Sequence, residues 1–411
     1  MANNNDTQLS LAQLHAPEYV ANPYALYSQF RTQEPVFWDE QANAWVLTQY
    51  NDVVTTLRDP RLSATRMTIG TDWIPAEMMD ALAPPVRALT RQMLFLDPPD
   101  HTRLRGLAAK AFTPRIVEAL RPRIQLLVDE LLDTVQPDGY MNFIKDFAHP
   151  LPAIVIAEML GVPPEDRAQF TVWTSDFARL LDGGNPSIEG VMQSLSGVSD
   201  FMNYFRAIIR QRRTAPRDDL LQAMIAAEEQ GDKLNEEELL SNCVLILAAG
   251  HGTTTHLLGN GLLALLHNPA QLTYWKNNPS IAPYAVAELL RYDSPVQLTS
   301  RHPTEDIEIG GKRIEAGQEI IIILGAANHD PAQFPQPDQL DLSRTETRHM
   351  SFGLGIHFCL GAPLARLEGE IAFNTLLRRL SDIQLATEEL EIAPSTVFRA
   401  RLELPIRFAK A

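Results

Sequence analysis

The sequence predicts a mainly α protein with small β-sheets, folded as one large domain. Three observations carry this. Residues from about 101 to 270 show mostly helical apolar spacing, strand-like runs are short and scattered, and no linker-like composition break divides the chain. Residues 1–20 read as a flexible polar lead-in, and 21–411 as the domain.

The elements follow in order. Segments 21–33 and 51–58 read as short helices flanking strands at Val36–Trp38 and Ala44–Thr48. Residues 59–96 read as a long irregular loop. They hold Pro60, Pro75, Pro84 and Pro85 with Met67, Trp73, Met78 and Met79, and long loops of this kind are often functional. The clearest helix begins at Asn235, with Glu238 three residues on in capping-box spacing, and can run to Asn268, where Pro269 follows. Its span is about 50 Å at 1.5 Å per residue. Being apolar on most sides in its first half, it should pass through the middle of the domain. Gly250-His251-Gly252-Thr253-Thr254-Thr255 inside it are mostly poor helix formers, so a kink or local opening is expected there. After Pro269, short helices alternate with strand-like runs at Ile307–Ile309 and Glu319–Leu324, and a Pro-rich loop covers 331–337.

Composition excludes several functions. The chain has 411 residues and a formal net charge of −16, which disfavours a phosphate backbone as partner. Two cysteines support neither a disulfide scaffold nor a four-cysteine metal site. The start, Met1-Ala2-Asn3-Asn4-Asn5-Asp6, is polar, and the most apolar window, Cys243 to Gly250, is far short of the roughly 18 residues a membrane span needs. A soluble, cytoplasmic protein is expected.

One stretch carries chemistry: Phe352-Gly353-Leu354-Gly355-Ile356-His357-Phe358-Cys359-Leu360-Gly361, followed by an apolar helix from Ala362 to Leu377. Glycine admits close backbone approach and positive φ. A cysteine at a helix N-terminus has its thiolate favoured by the dipole and by free N–H groups. That environment suits a thiolate serving as the electron-donating axial ligand of a haem iron.

Here the sequence resembles the cytochrome P-450 family of haem-thiolate monooxygenases. The soluble bacterial pattern Phe-Gly-x-Gly-x-His-x-Cys-x-Gly is matched at all six fixed positions, a coincidence on the order of 10⁻⁶ for a random chain. The resemblance implies the cytochrome P-450 fold, Cys359 as axial ligand of haem b, and Phe352, Gly353, His357 and Gly361 as its surroundings. Glu288-Leu289-Leu290-Arg291 matches the family's Glu-x-x-Arg, which implies a structural ion network of Glu288, Arg291 and Arg344. Glu118-Ala119-Leu120-Arg121 also fits that pattern and reads as a solvated pair. Pro98-Pro99-Asp100-His101-Thr102-Arg103-Leu104-Arg105 resembles the family's C-helix entry. It implies that His101 and Arg105, on one helix face, bind the haem propionates together with Arg301. The likeness is strongest to the bacterial group that oxidises macrolides, polyketides and acyl chains in secondary metabolism.

The chain departs from the family at its oxygen-activation segment. Ala249-Gly250-His251-Gly252-Thr253 has the expected Thr253, but Gly252 stands where the family has an acid that relays protons toward the oxygen site. Three routes remain open. Water admitted beside Gly252 can bring protons to Thr253; the substrate or a side chain such as His251 or His256 can replace the acid; or dioxygen activation is impaired and peroxide drives an atypical oxidation. A non-catalytic relative that activates a partner enzyme is a further alternative, though such a protein has no need of Cys359.

By resemblance, an apolar substrate pocket is lined by Leu94, Phe95, Leu181, Leu245, Ala248, Ala249, Val296, Leu298 and Phe398, which suits a medium-to-large apolar metabolite. Residues 101–123 hold six basic side chains against Glu118 alone, a local +5 that could steer an acidic redox partner. The family's usual partners are a ferredoxin and a ferredoxin reductase, which pass electrons from NAD(P)H. A monomer is expected.

Overall fold

The computed structural model describes residues 9–65, 76–166, 169–170, 172–173, 188–217, 220–229, 235–387 and 389–409. Leu181 of the expected pocket lies outside them.

Helices dominate, and the longest is Glu236–His267. Both halves of its capping box form: Asn235 Oδ1 accepts from Glu238 N–H at 2.9 Å, and Glu238 Oε2 accepts from Asn235 N–H at 2.9 Å. Every residue from Leu239 to Leu265 is buried except Ala249, Gly250, Gly252, Thr253 and His256. The helix does not open there: it is continuous through 250–255. Side-chain packing decides the matter there: a Cβ on Gly250 would meet Ile156 Cδ1 at 3.2 Å, so a neighbouring helix holds the weak segment in place. Cys243 is plain core, fully buried, with its thiol pushed up to about 12 by burial.

The strands are β1 (Val36–Asp39), β2 (Ala44–Leu47), β3 (Leu62–Ser63), β4 (Tyr140–Asn142), β5 (Leu298–Pro303), β6 (Ile307–Ile309), β7 (Lys312–Ile314), β8 (Glu319–Ile323), β9 (Gln384–Leu385) and β10 (Pro405–Arg407). Five of them form the main sheet in the order β1-β2-β8-β5-β3. Its register puts Arg301 opposite Ile320 and Leu298 opposite Ile323. The sheet thereby fixes Arg301 from a rigid neighbour rather than from a loop.

Two sequence expectations need correction. Residues 59–96 are not irregular throughout: Ala76–Thr90 is helical, with Pro84 and Pro85 inside it. Burial of Leu82, Ala88 and Leu89 outweighs the lost hydrogen bonds that proline imposes. The lead-in is not loose over 10–21. Leu11–His15 and Pro17–Ala21 are short helices, Leu14 is buried, and Asp39 accepts from Leu11 N–H at 2.6 Å. Arg399 donates to the Val20 and Ala21 carbonyls, tying this segment to the far end of the chain.

The Ala282–Tyr292 helix carries the expected ion network. Arg291 is 1% exposed and Glu288 2%. Arg291 Nε and Nη2 donate to Glu288 Oε2 and Oε1 at 2.7 and 2.8 Å, and Arg344 Nε lies 3.2 Å from Glu288 Oε2. Glu118 and Arg121 pair on the surface, as expected of a solvated pair.

Glu288→Gln leaves the Arg291 charge buried without its counter-ion, which costs about 3–5 kcal/mol in such settings. Urea unfolding should show a lower midpoint with an unchanged slope. A loss under about 1 kcal/mol would mean that the neighbouring carbonyls hold Arg291 alone.

Candidate active site

The Cys359 loop is shaped by two left-handed glycines, Gly353 (φ 65°) and Gly355 (φ 74°). A Cβ on Gly355 would stand 2.3 Å from the Leu57 carbonyl oxygen, so the backbone approach there requires glycine. Cys359 N–H donates to the Phe352 carbonyl at 2.8 Å, which closes the loop on itself. The Ala362–Arg379 helix starts directly behind it. Burial raises the Cys359 thiol above its ordinary range, while the N–H groups of Gly361 and Ala362 and the charges of Arg105 and Arg366 favour the thiolate. Arg366 escaped the sequence reading. Its guanidinium sits 4.7 Å from the centroid of the Phe352 ring, and its place two helical turns beyond the cysteine was the available signal.

A second group of side chains converges beside the loop. His101 is buried, and neither ring nitrogen has a hydrogen-bond partner. Its ring centroid lies 4.1 Å from that of His357. Burial, then Arg105, then Arg301 push the His101 pKa down, against an upward pull from Asp97. Arg105 donates to the Phe358 carbonyl at 2.5 Å. Arg301 is 5% exposed and has no ion-pair partner among the described residues; its Nη1 donates to the Ser300 carbonyl at 2.7 Å. Burial pulls its pKa down to about 10. A buried guanidinium and an unpartnered imidazole side by side are costly unless an anion joins them.

The long helix contributes the stripe left open in its burial. Ala249, Gly252, Thr253 and His256 follow i, i+3, i+4, i+7 spacing and so share one face. Thr253 Oγ1 donates to the Ala249 carbonyl at 2.7 Å, leaving its lone pairs as acceptors. His251 is turned elsewhere: it is buried, and its Nε2 lies 3.1 Å from the His149 carbonyl.

Among the expected pocket residues, Val296 and Phe398 form an isolated bridge, and Gln297 N–H donates to the Val397 carbonyl at 2.8 Å. Leu298 opens β5, and Leu245 and Ala248 are buried on the long helix. Leu94 and Phe95 lie in the Met93–Phe95 turn. The Met93 N–H donates to Asn242 Oδ1 of that helix at 3.4 Å.

The Cytochrome P450 family model matches residues 169–272 and 281–396. The chain belongs to the cytochrome P450 family. It is 44% identical to cytochrome P450 CYP107DY1 of Priestia megaterium, over 89% of this chain and 90% of that one. It is 39% identical to the polyketide biosynthesis cytochrome P450 PksS of Bacillus subtilis, over 96% and 98%. Its fold superposes on P450BioI in complex with hexadec-9Z-enoic acid ligated acyl carrier protein, with a TM-score of 0.89, 38% identity and coverage of 95% and 99%.

This cytochrome P450 is thus a monooxygenase-family enzyme whose relatives take a haem-thiolate cofactor, and the residues present fit that group. Cys359 has N–H donors aimed at its sulfur, both ring nitrogens of the buried His101 are without a hydrogen-bond partner, the buried Arg301 is in no ion pair among the described residues, and a Cβ on Gly361 would meet nothing within 4 Å. No helix among the described residues is long and apolar enough to cross a membrane.

The basic excess of 101–123 is largely answered from elsewhere in the fold. Arg103 pairs with Asp100 and Glu238, Arg121 with Glu118 and Glu370, and Arg123 with Glu158, while Arg105 holds a loop carbonyl. Lys110 and Arg115 are exposed and have no acidic partner among the described residues. Three of the six cations, Arg103, Arg121 and Arg123, therefore have acidic partners, which lowers the local excess.

Arg301→Leu should move two properties in opposite directions. The haem-free chain gains stability, because a buried unpaired charge is replaced by apolar volume. Haem affinity falls about ten- to hundredfold, as for the loss of one charged hydrogen bond. Denaturation of the apo-chain and haem transfer to apomyoglobin read the two; equal haem retention would show that Arg301 does not face the cofactor.

Proposed function

We propose that this chain inserts one atom of dioxygen into an unreactive C–H or C=C bond of a medium-to-large apolar metabolite, as hydroxylation or epoxidation. For a hydroxylation, substrate, O2, two electrons and two protons give alcohol and water. Haem, when bound, supplies the dioxygen activation. Cys359 would hold its iron, and His101, Arg105 and Arg301 would hold its carboxylates, with Phe352, Gly353, His357 and Gly361 forming the surrounding loop. The observation that carries this reading is the pairing of a thiol under backbone N–H donors with a buried His101, neither of whose ring nitrogens has a hydrogen-bond partner, near a buried Arg301 that is in no ion pair among the described residues.

Thr253 is the hydroxyl that passes protons across the open stripe, and Ala249 and Gly252 leave room for water beside it. Electrons come from NAD(P)H through a separate ferredoxin reductase and ferredoxin, which dock near Lys110 and Arg115. The substrate meets Leu94, Phe95, Leu245, Ala248, Ala249, Val296, Leu298 and Phe398. The polyketide and acyl-chain associations of the relatives support a long or bulky apolar substrate. Residues 21–411 act as one unit, a cytoplasmic monomer.

The test is a panel of fatty acids and polyketide fragments, screened by the haem spin-state shift. The best binder is then turned over with NAD(P)H, ferredoxin and reductase under ¹⁸O2. One labelled oxygen should enter the product. Thr253→Ala should raise peroxide release per NAD(P)H without weakening the spin shift. Unlabelled product, or turnover only with added peroxide, would favour the peroxide-driven alternative raised by Gly252.

A further inference from the structure

The open stripe on the long helix ends in a titratable group with no assigned task. A Cβ placed on Gly252 would find one neighbour within 4 Å, and it is His256 Nε2, at 4.0 Å. The residue one turn on therefore reaches back over the position where the family carries its acid. Long helical side chains lean toward the N-terminus, which is why an i+4 imidazole arrives there. The other ring nitrogen, Nδ1, is buried and has no hydrogen-bond partner, and the ring lies 6.2 Å from that of Phe398. The imidazole thus has Nδ1 buried and Nε2 turned toward position 252 on the open face. His251 does not compete for this role, since its Nε2 is taken by the His149 carbonyl.

We infer that His256 replaces the missing acid: its Nε2 holds the water beside Gly252 in line with the Thr253 hydroxyl, and so serves as the positioning residue for proton delivery. This rests on the reading of Thr253 as the proton-passing hydroxyl. Burial, with the nearby His149 as the second cause, lowers the His256 pKa to about 4. His149 is itself held low by burial, and His251 by burial, then His149, to about 3. His256 is therefore neutral near pH 7. It offers one hydrogen bond at Nε2 without changing charge, and the proton travels through water to Thr253 rather than residing on the ring.

The first readout is spectroscopic. In ¹⁵N-histidine holoenzyme, reduced and CO-bound, the His256 signals are those lost in His256→Ala. They should stay neutral down to pH 5. In Gly252→Glu the new carboxylate stands beside Nε2, and the imidazole midpoint should rise by more than about one pH unit. A midpoint that does not move would place the ring away from position 252 and overturn the inference.

The second readout is coupling, with hexadec-9Z-enoic acid as probe. His256→Ala should raise peroxide per NAD(P)H severalfold, His256→Asn should retain most of the coupling, and adding Gly252→Glu to His256→Ala should restore it. Thr253→Ala uncoupled with His256→Ala coupled as the parent would overturn the His256 assignment alone. Thr253→Ala coupled as the parent would remove the reading beneath it.

Discussion

The arrangement depends most on one buried guanidinium. Arg291 has five N–H donors, and all five are used: two on the Glu288 carboxylate, two from Nη1 on the Asn328 and Pro337 carbonyls, and one from Nη2 on the Gln339 carbonyl. It joins the Ala282–Tyr292 helix to the irregular chain at 328–339. From Asn328 the network continues into the cysteine loop. The Asn328 side chain accepts from Met350 N–H at 2.6 Å and donates to Ser294 and Ser351, and Ser351 donates to the Leu290 carbonyl at 2.7 Å. A loop that must present a sulfur at a fixed height is thus anchored through a chain of buried hydrogen bonds with few degrees of freedom.

The same economy does not hold around the proposed cofactor. There the chain leaves both nitrogens of the buried His101 without a hydrogen-bond partner, and the buried Arg301 is in no ion pair among the described residues. Buried groups in a finished core are normally satisfied, so the local deficit points to an absent anionic partner. The two regions are complementary. The Arg291 network supplies rigidity, and the His101–Arg301 cluster supplies donors that the carboxylates of the proposed haem would meet.

Much of this was readable from the residues. The capping box at Asn235 and Glu238 is a local pattern whose chemistry is fixed by spacing, whereas the roles of the cysteine loop and of Glu288, Arg291 and Arg344 came from the resemblance to a family. What escaped depends on distant partners. The Ala76–Thr90 helix forms despite Pro84 and Pro85 because Leu82, Ala88 and Leu89 find a core to enter. The basic run at 101–123 looked unopposed because Glu158, Glu238 and Glu370 lie far away in sequence. The threonine- and glycine-rich segment looked kinked because propensity does not register Ile156 packed against Gly250. At position 252 the sequence left water, the substrate, His251 and His256 open as substitutes for the acid; the fold brings His256 Nε2 close to that position, while His251 faces His149.

Everything proposed for this chain rests on Cys359, whose thiolate would hold the haem iron. The most direct measurement is the absorption spectrum of the dithionite-reduced, CO-bound holoprotein beside that of Cys359→Ser at equal haem content. Thiolate ligation predicts a strongly red-shifted Soret band in the parent and its loss in Cys359→Ser. A folded, haem-loaded parent lacking that band, or a Cys359→Ser variant keeping it, would contradict the assignment.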